Sequence, residues 1–289
     1  MSDIDLKLFL KWAGGKKRSA HRIVEKMQTE EFHRYFEPFI GGGSIFLSLK
    51  PDKAIISDYN SELVNTYKVI QEIPEKLIEY IEKKMKPNHS EDYYYKVREW
   101  DRKESFCNLS KVKKAARFIY LNKTCFNGIY RVNRKNQFNV PFGKYVNAPR
   151  IIDSKNIRKI NEYMNKPEII IKQQDYKSIE NEVDKGDLVY LDPPYDVDKN
   201  FSEFTGYTQN GFDREEHKKM KRLCDKLIQK GAIVYISNSN TEFINELYSL
   251  NGNSEWYKKV DTISINRTIG STRKSRRKFE EVLIRGKRG

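Results

Sequence analysis

Cysteine is scarce in this chain. Cys107, Cys125 and Cys224 show no metal spacing, and their odd number suits no closed disulfide framework. Such usage points to a reducing compartment. Histidine is equally thin: His21, His33, His89 and His217 do not cluster. Neither a metal ion nor a histidine-based triad is therefore expected. No apolar run is long enough to cross a bilayer, and no signal peptide opens the chain, so no membrane association is expected. Acids are missing from two long stretches, between Glu104 and Asp153 and again from Ser264 to Lys278.

What is abundant is positive charge. The 289 residues carry a net charge of +15, with a pI of about 9.4. Such a field favours a polyanion, nucleic acid first and an anionic membrane second. Hydrophobic residues reach only 38%, but they fall into periodic segments, so a packed core is expected rather than disorder.

The periodicity reads as α/β. A helix carrying Ile23, Val24 and Met27 precedes a short strand at Tyr35-Phe36. A glycine loop and a second helix follow, then a strand over residues 54–57 ending at Asp58. From about Asn60 the pattern turns helical. Pro74 suits the first turn of one helix, and Ser110 caps another. Strands resume over 168–172 and 187–191. Asp213 and Glu216 form a capping box for a helix that Gly231 stops. Further strands are expected over 232–236 and 279–284.

Three features carry chemistry. Gly41-Gly42-Gly43 lies between a strand and a helix, with the acid Asp58 ending the next strand. Glycines let backbone approach a ligand, and a carboxylate can hold ribose hydroxyls. The loop is neither a Walker A sequence nor a dinucleotide fingerprint. It suits a nucleoside without a pyrophosphate, of which S-adenosylmethionine is one; a plain tight turn is the alternative. Second, the buried strand Leu188-Val189-Tyr190-Leu191 runs into Asp192-Pro193-Pro194-Tyr195. Two prolines fix the tip and remove two backbone donors. Carbonyl and carboxylate acceptors remain beside an aromatic face, a set that can accept both hydrogens of an exocyclic amine while the ring stacks on Tyr195. Third, the first acid-free stretch holds ten cations, from Lys111 to Arg150, interleaved with Phe126, Tyr130, Phe138, Phe142 and Tyr145. Lysines suit phosphates, and Arg or Asn side chains can read base edges. The second stretch suits a phosphate-contacting loop or a solvated hairpin tip.

At these residues the chain resembles the Dam-type DNA adenine-N6 methyltransferases, whose motif order is called the alpha group. Four segments carry the resemblance, in the family's order: residues 9–16, residues 36–44, the basic segment from Phe126 to Tyr145, and Asp192-Pro193-Pro194-Tyr195. The resemblance implies a doubly wound, mostly parallel sheet of the class I S-adenosylmethionine methyltransferase type, with an inserted, mainly helical target-recognition domain. The catalytic domain is expected over residues 1–60 and 157–289, and the recognition domain over 61–156. It implies that Trp12, Gly15, Lys16, Glu37, Phe39, Gly41, Gly43, Ser44, Asp58, Asp175, Tyr176 and Asp192 surround the methyl donor, with Asp175 at its adenine amine. Asp192 and the Pro193 carbonyl would hold the target N6, with Pro194 beside them and Tyr195 stacked on a flipped adenine. Lys11, Asn127, Arg131, Asn133, Pro141, Lys144 and Tyr145 would read or support reading of duplex DNA, and Phe126 would insert near the flipped base. Near relatives read GATC, so GATC is the expected site. Lys144 departs from the pattern: arginine often stands there, and lysine cannot make the same planar bidentate contact.

The resulting expectation is site-specific adenine-N6 methylation of duplex DNA. The enzyme would work in the cytoplasm of a bacterium or archaeon or be encoded by a phage, as a monomer on DNA with a dimer as the alternative. Methylation of RNA adenine or of a protein glutamine, and an inactive DNA-binding relative, remain open at this point.

Overall fold

The computed structural model describes residues 5–12, 14–16, 19–147, 149–196, 212–252, 254–266 and 278–289. Residues 267–277 of the second acid-free run lie outside the described residues.

Runs of β-branched and aromatic residues become strands: β1 Tyr35–Glu37, β2 Ala54–Asp58, β3 Ile169–Gln173, β4 Leu188–Leu191, β5 Ile233–Ser239, β6 Tyr257–Asn266 and β7 Lys278–Gly286. They form one seven-stranded sheet in the order β3-β2-β1-β4-β5-β7-β6. β1 runs parallel to β2 and β4, and β4 parallel to β5. β7 is antiparallel to both β5 and β6. This is the mostly parallel α/β sheet the resemblance implied. Every residue of β4 and β5 is buried, as strands covered on both faces must be. β6 is not among the strands expected by residue, although a hairpin tip over 264–278 implies a strand before it.

The chain divides into two compact units, one of residues 1–18, 40–52 and 57–173, the other of residues 19–39, 53–56 and 174–289. The second contains α1 Ala20–Met27, α8 Arg214–Gln229 and α9 Glu242–Leu247. Met220, Leu223, Cys224, Leu227 and Ile228 of α8 pack with Val189, Leu191, Val234 and Ile236 in its core. Each such burial contributes roughly 1.5–3 kcal/mol before chain entropy is subtracted. Asp213 caps α8 by accepting from the Glu216 backbone NH at 2.9 Å. The other half of the expected box is spent elsewhere: the Glu216 side chain takes Lys177, Lys219 and Tyr176. Those partners, Lys177 first, hold its carboxyl down at about 2.

The first unit contains α2 Ser44–Leu49, α3 Ser61–Glu72, α4 Pro74–Tyr80, α5 Glu91–Arg98, α6 Lys111–Thr124 and α7 Ser154–Met164. Side chains cap four of these helices: Asn60 accepts from the NH groups of Glu62 and Leu63, Ser90 from Tyr93, Ser110 from Lys113, and Asp153 from Asn156. Pro74 opens α4 as expected. Between α6 and α7 the basic segment has little regular structure. Two isolated antiparallel bridges, Cys125 to Phe142 and Val132 to Phe138, fold it into a ribbon.

Candidate active site

β2 ends on Asp58, whose carboxylate is tied to the glycine loop. The Gly41 NH donates to its Oδ2 at 3.1 Å and the Asn60 NH to its Oδ1 at 2.9 Å. The Tyr67 hydroxyl donates to the Gly41 carbonyl at 3.0 Å. Gly41 and Gly43 sit at φ of +47° and +73°. A Cβ on Gly41 would stand 2.7 Å from the Trp12 indole, and one on Gly43 would stand 2.6 Å from the Tyr67 hydroxyl. Glycine is thus required by packing as well as by any ligand. A carboxylate offers about four acceptor positions, so Asp58 keeps capacity for a hydroxyl beyond the backbone NH groups of Gly41, Tyr59 and Asn60. Burial raises its pKa, and the Asn60 and Gly41 NH groups oppose that rise.

The residues before the loop follow the same logic. Trp12 is half-buried, and the Gly15 NH donates back to its carbonyl at 3.0 Å. Lys16 is buried and donates from Nζ to the Gly14 carbonyl at 3.0 Å. Ser44, also buried, begins α2 with its Oγ 3.8 Å from where a Gly15 Cβ would be. An open backbone, a carboxylate with a spare acceptor and a lysine directed at its own loop fit a nucleoside bearing a sulfonium cation. They would fit a polyphosphate poorly.

In the second unit, Glu37 ends β1 buried and accepts from the Tyr35 hydroxyl at 2.7 Å. Phe39 and Tyr176 stack with ring centroids 5.2 Å apart, and Phe212 meets Phe39 edge-on at 5.9 Å. Asp175 is exposed beside them and accepts from the Lys177 NH at 2.9 Å. An aromatic pair next to an exposed carboxylate suits a purine with an exocyclic amine.

β4 then delivers the tetrapeptide. Asp192 is half-buried, Pro193 buried, Pro194 exposed and Tyr195 half-buried. Burial, followed by the charge of Asp192, raises the phenols of Tyr190 and Tyr195 well above their ordinary pKa, so both stay neutral and Asp192 lies close to both. Tyr190 shares a hydrogen bond with Ser237 at 2.8 Å.

Sequence reasoning missed Asp196, the next residue. Its backbone NH donates to Asn238 Oδ1 at 3.2 Å, and its carbonyl accepts from Ser239 Oγ at 2.6 Å. Its carboxylate takes Arg214 through both oxygens, at 2.9 and 3.2 Å, and Thr241 at 2.8 Å. The tetrapeptide's exit is therefore fastened to the end of β5 and the start of α8. The available signal was an acid following the tetrapeptide directly.

The basic ribbon gathers several of the expected reading residues. Lys11 has its NH and carbonyl bracketed by the Asn122 side chain, at 2.9 and 2.7 Å. Its own side chain crosses Gly128 and reaches the Tyr145 hydroxyl at 3.2 Å. Tyr145 in turn donates to the Cys125 carbonyl at 2.6 Å. Phe126 is 51% exposed, and Asn127 beside it stands at φ +54°. Pro141, which accepts from the Phe126 NH at 2.9 Å, and Lys144 are exposed. Arg131 is exposed and braced on Asn139 at 2.8 Å. Asn133 is committed to a turn, its Oδ1 accepting from the NH groups of Lys135 and Gln137. One basic residue of the stretch faces inward: Arg117 is 1% exposed and paired to Glu62 and Asp101 at 3.1 and 2.6 Å. Among the described residues no helix is long and apolar enough to cross a membrane, and no group of three acidic, histidine or cysteine side chains could hold a metal.

Comparison with known proteins places these features. A family model described as D12 class N6 adenine-specific DNA methyltransferase matches residues 12–265. The type II methyltransferase M1.LlaDCHI of Lactococcus lactis subsp. cremoris is 40% identical over 281 residues, covering 97% of this chain and 95% of that one. M.MjaIII of Methanocaldococcus jannaschii, also a type II methyltransferase, is 36% identical over 261 residues, 85% of this chain and 89% of the relative. The DNA adenine methylase of Escherichia coli strain K12 is 28% identical over 284 residues, with 97% and 95% covered.

Proposed function

The chain belongs to the D12 class of N6 adenine-specific DNA methyltransferases, and from that membership we propose that it methylates adenine within GATC in duplex DNA, acting as a monomer on a base turned out of the helix. The donor is S-adenosylmethionine, which supplies a methyl group on a sulfonium centre. Trp12, Gly15, Lys16, Glu37, Phe39, Gly41, Gly43, Ser44, Asp58, Asp175 and Tyr176 are its proposed contacts. Asp58 takes a ribose hydroxyl, and Asp175 takes the adenine amine beside the Phe39–Tyr176 stack.

The observation that carries the catalytic assignment is the end of β4. A wholly buried strand stops at Asp192, and two prolines and a fastened residue 196 follow. Asp192 and the Pro193 carbonyl accept the two hydrogens of the target amine, which leaves its lone pair directed at the methyl. Tyr195 stacks on the base. The carbon–nitrogen bond would form as the methyl–sulfur bond breaks, the donor leaving as the neutral thioether S-adenosylhomocysteine and the surplus N6 proton passing to solvent, so rate comes from holding the amine and methyl in line. Turning the base out is required because N6 is not reachable inside the stacked duplex. Residues 61–156 serve recognition, residues 1–60 and 157–289 serve catalysis, and Lys11, Phe126, Asn127, Arg131, Asn133, Pro141, Lys144 and Tyr145 meet the DNA. The type II methyltransferase names of two relatives support a place in a restriction-modification system; the cytoplasm is the proposed location.

Asp192→Ala is expected to lower methyl transfer on the order of 10³-fold or more while donor affinity stays within a few-fold. Tritiated-methyl incorporation and calorimetry read the two. Normal turnover by this variant would overturn the assignment. Methylome sequencing of DNA from cells expressing the chain tests the site, and modified adenine outside GATC would replace it.

A further inference from the structure

Resting on that reading of the two sites, we propose that Tyr130 is a positioning residue that couples the donor loop to the DNA-reading ribbon through a stack on Trp12. The ring of Trp12 lies against the loop, since a Cβ on Gly41 or Gly42 would meet Trp12 at 2.7 or 3.0 Å. The other partner of that ring is Tyr130, stacked with centroids 5.4 Å apart at 20°. Phe118 supports both rings, at 6.2 Å from Trp12 and 5.2 Å from Tyr130. Tyr130 directly precedes Arg131, and it contacts Phe138 at 5.8 Å. Phe138 is the residue bridged to Val132 across the ribbon.

Polar contacts close the same circuit. Tyr130 faces Asn60 and Glu62; burial raises the Glu62 carboxyl, and the Arg117 charge, with a smaller share from the Tyr130 hydroxyl, opposes that rise. Asn60 is the cap of α3 and donates its NH to Asp58. Glu62 pairs with Arg117, Arg117 with Asp101, and Asp101 accepts from the Phe138 NH at 2.8 Å. The ribbon is thus reached from the donor carboxylate by an apolar route through Tyr130 and by an ionic route through Glu62, Arg117 and Asp101, which Tyr130 flanks. Lys11 adds a second link: the residue next to Trp12 spans Gly128 and Tyr145 of the ribbon.

The glycine loop and an irregular ribbon both lose conformational freedom when a ligand orders them. A ring stack shared between them means that ordering one partly orders the other. The second ligand then meets a segment already arranged, which is positive coupling, and linkage makes it reciprocal. Tyr130 touches neither the reacting amine nor the methyl; it acts through Trp12.

The test measures binding of S-adenosylhomocysteine, which cannot react, with and without a duplex carrying the sequence found by the methylome. In the unaltered enzyme the duplex should tighten S-adenosylhomocysteine by at least about 5-fold, and S-adenosylhomocysteine should tighten the duplex by the same factor. Tyr130→Met fills the space without a ring. It should cut that factor to less than half, the Lys11 link remaining, and leave each binary affinity within roughly 3-fold. Tyr130→Phe keeps the stack and should retain most of the factor. If the methionine variant does not fold, Phe118→Leu removes the shared supporting ring and should lower the factor likewise. No coupling in the unaltered enzyme, full coupling in Tyr130→Met, or equal loss in Tyr130→Phe would each overturn the proposal. Failure of the underlying reading looks different: an unaltered enzyme that neither methylates the duplex nor binds S-adenosylhomocysteine.

Discussion

His217 is buried near the start of α8, and neither ring nitrogen has a hydrogen-bond partner among the described residues. Phe212 and Phe243 meet its ring edge-on at 4.8 and 6.2 Å. Burial pushes its imidazole down to about 4, although Asp196, Asp213 and Glu216 pull the other way. The unfolded chain takes up that proton near the ordinary value of about 6.5, and the folded chain only near 4. Between these values the unfolded state binds more protons. Stability is therefore complete above the higher value and falls as pH drops towards the lower, by at most about 3 kcal/mol. His217→Phe keeps the shape and removes the titration. Thermal midpoints followed from pH 7 to pH 4 should fall less steeply in the variant, and above pH 6.5 it should be at least as stable. The Glu216 carboxyl, held at about 2 by Lys177 and its other partners, loses its contribution from about 4.5 down to about 2 and is common to both proteins. Parallel decline of the two curves would show that His217 does not carry the effect.

Among elements, the exit of β4 is a secondary-structure boundary to which we assign a catalytic part. Proline removes the donors that would continue the strand, so something else must hold the tip, and Asp196 does this with every polar group it has. Arg214→Met removes the guanidinium that pairs with Asp196 and lies over the Phe243 ring at 4.6 Å, while keeping an apolar side chain of similar length. Single-turnover methylation should slow about 10-fold with donor affinity nearly unchanged, because the loss is in alignment. Arg214→Lys should recover part of the rate. An unchanged rate in Arg214→Met would mean that the prolines alone fix the tip. The same comparison shows which elements a sequence reveals. β4 and β5 were legible because strands buried on both faces read as unbroken apolar runs. β6 was not, because it lies at the sheet edge and carries Lys258, Lys259 and Asp261, which dilute its alternation. The glycine loop and tetrapeptide were legible because backbone geometry demands those residues. Tyr130, Asn122 and Asp196 were not, since their partners are distant in sequence and their residue types common.

For the whole molecule, the net charge of +15 overstates the cations available to a polyanion. The acid-free stretch looks uniformly basic only along the chain. In space Arg117 is sealed between Glu62 and Asp101, Lys111 is paired with Glu72, and Arg150 with Asp153. Arg131, Arg134, Lys135 and Lys144 of the ribbon remain exposed. Each cation that neutralises a phosphate should add about 0.9 to the slope of log binding constant against log salt concentration. Lys135→Gln should therefore weaken binding evenly across duplex sequences and lower the slope by about 1. Arg117→Gln should behave otherwise. It leaves Glu62 and Asp101 without their shared cation, a loss of roughly 3–5 kcal/mol of folding stability for a buried pair, with the salt slope of the folded protein unchanged. Fluorescence anisotropy across a salt series, together with denaturant unfolding, separates the two cases. If Lys135→Gln leaves the slope intact, the ribbon does not run along the phosphates. If Arg117→Gln lowers it, the buried guanidinium contributes to the field that the DNA meets.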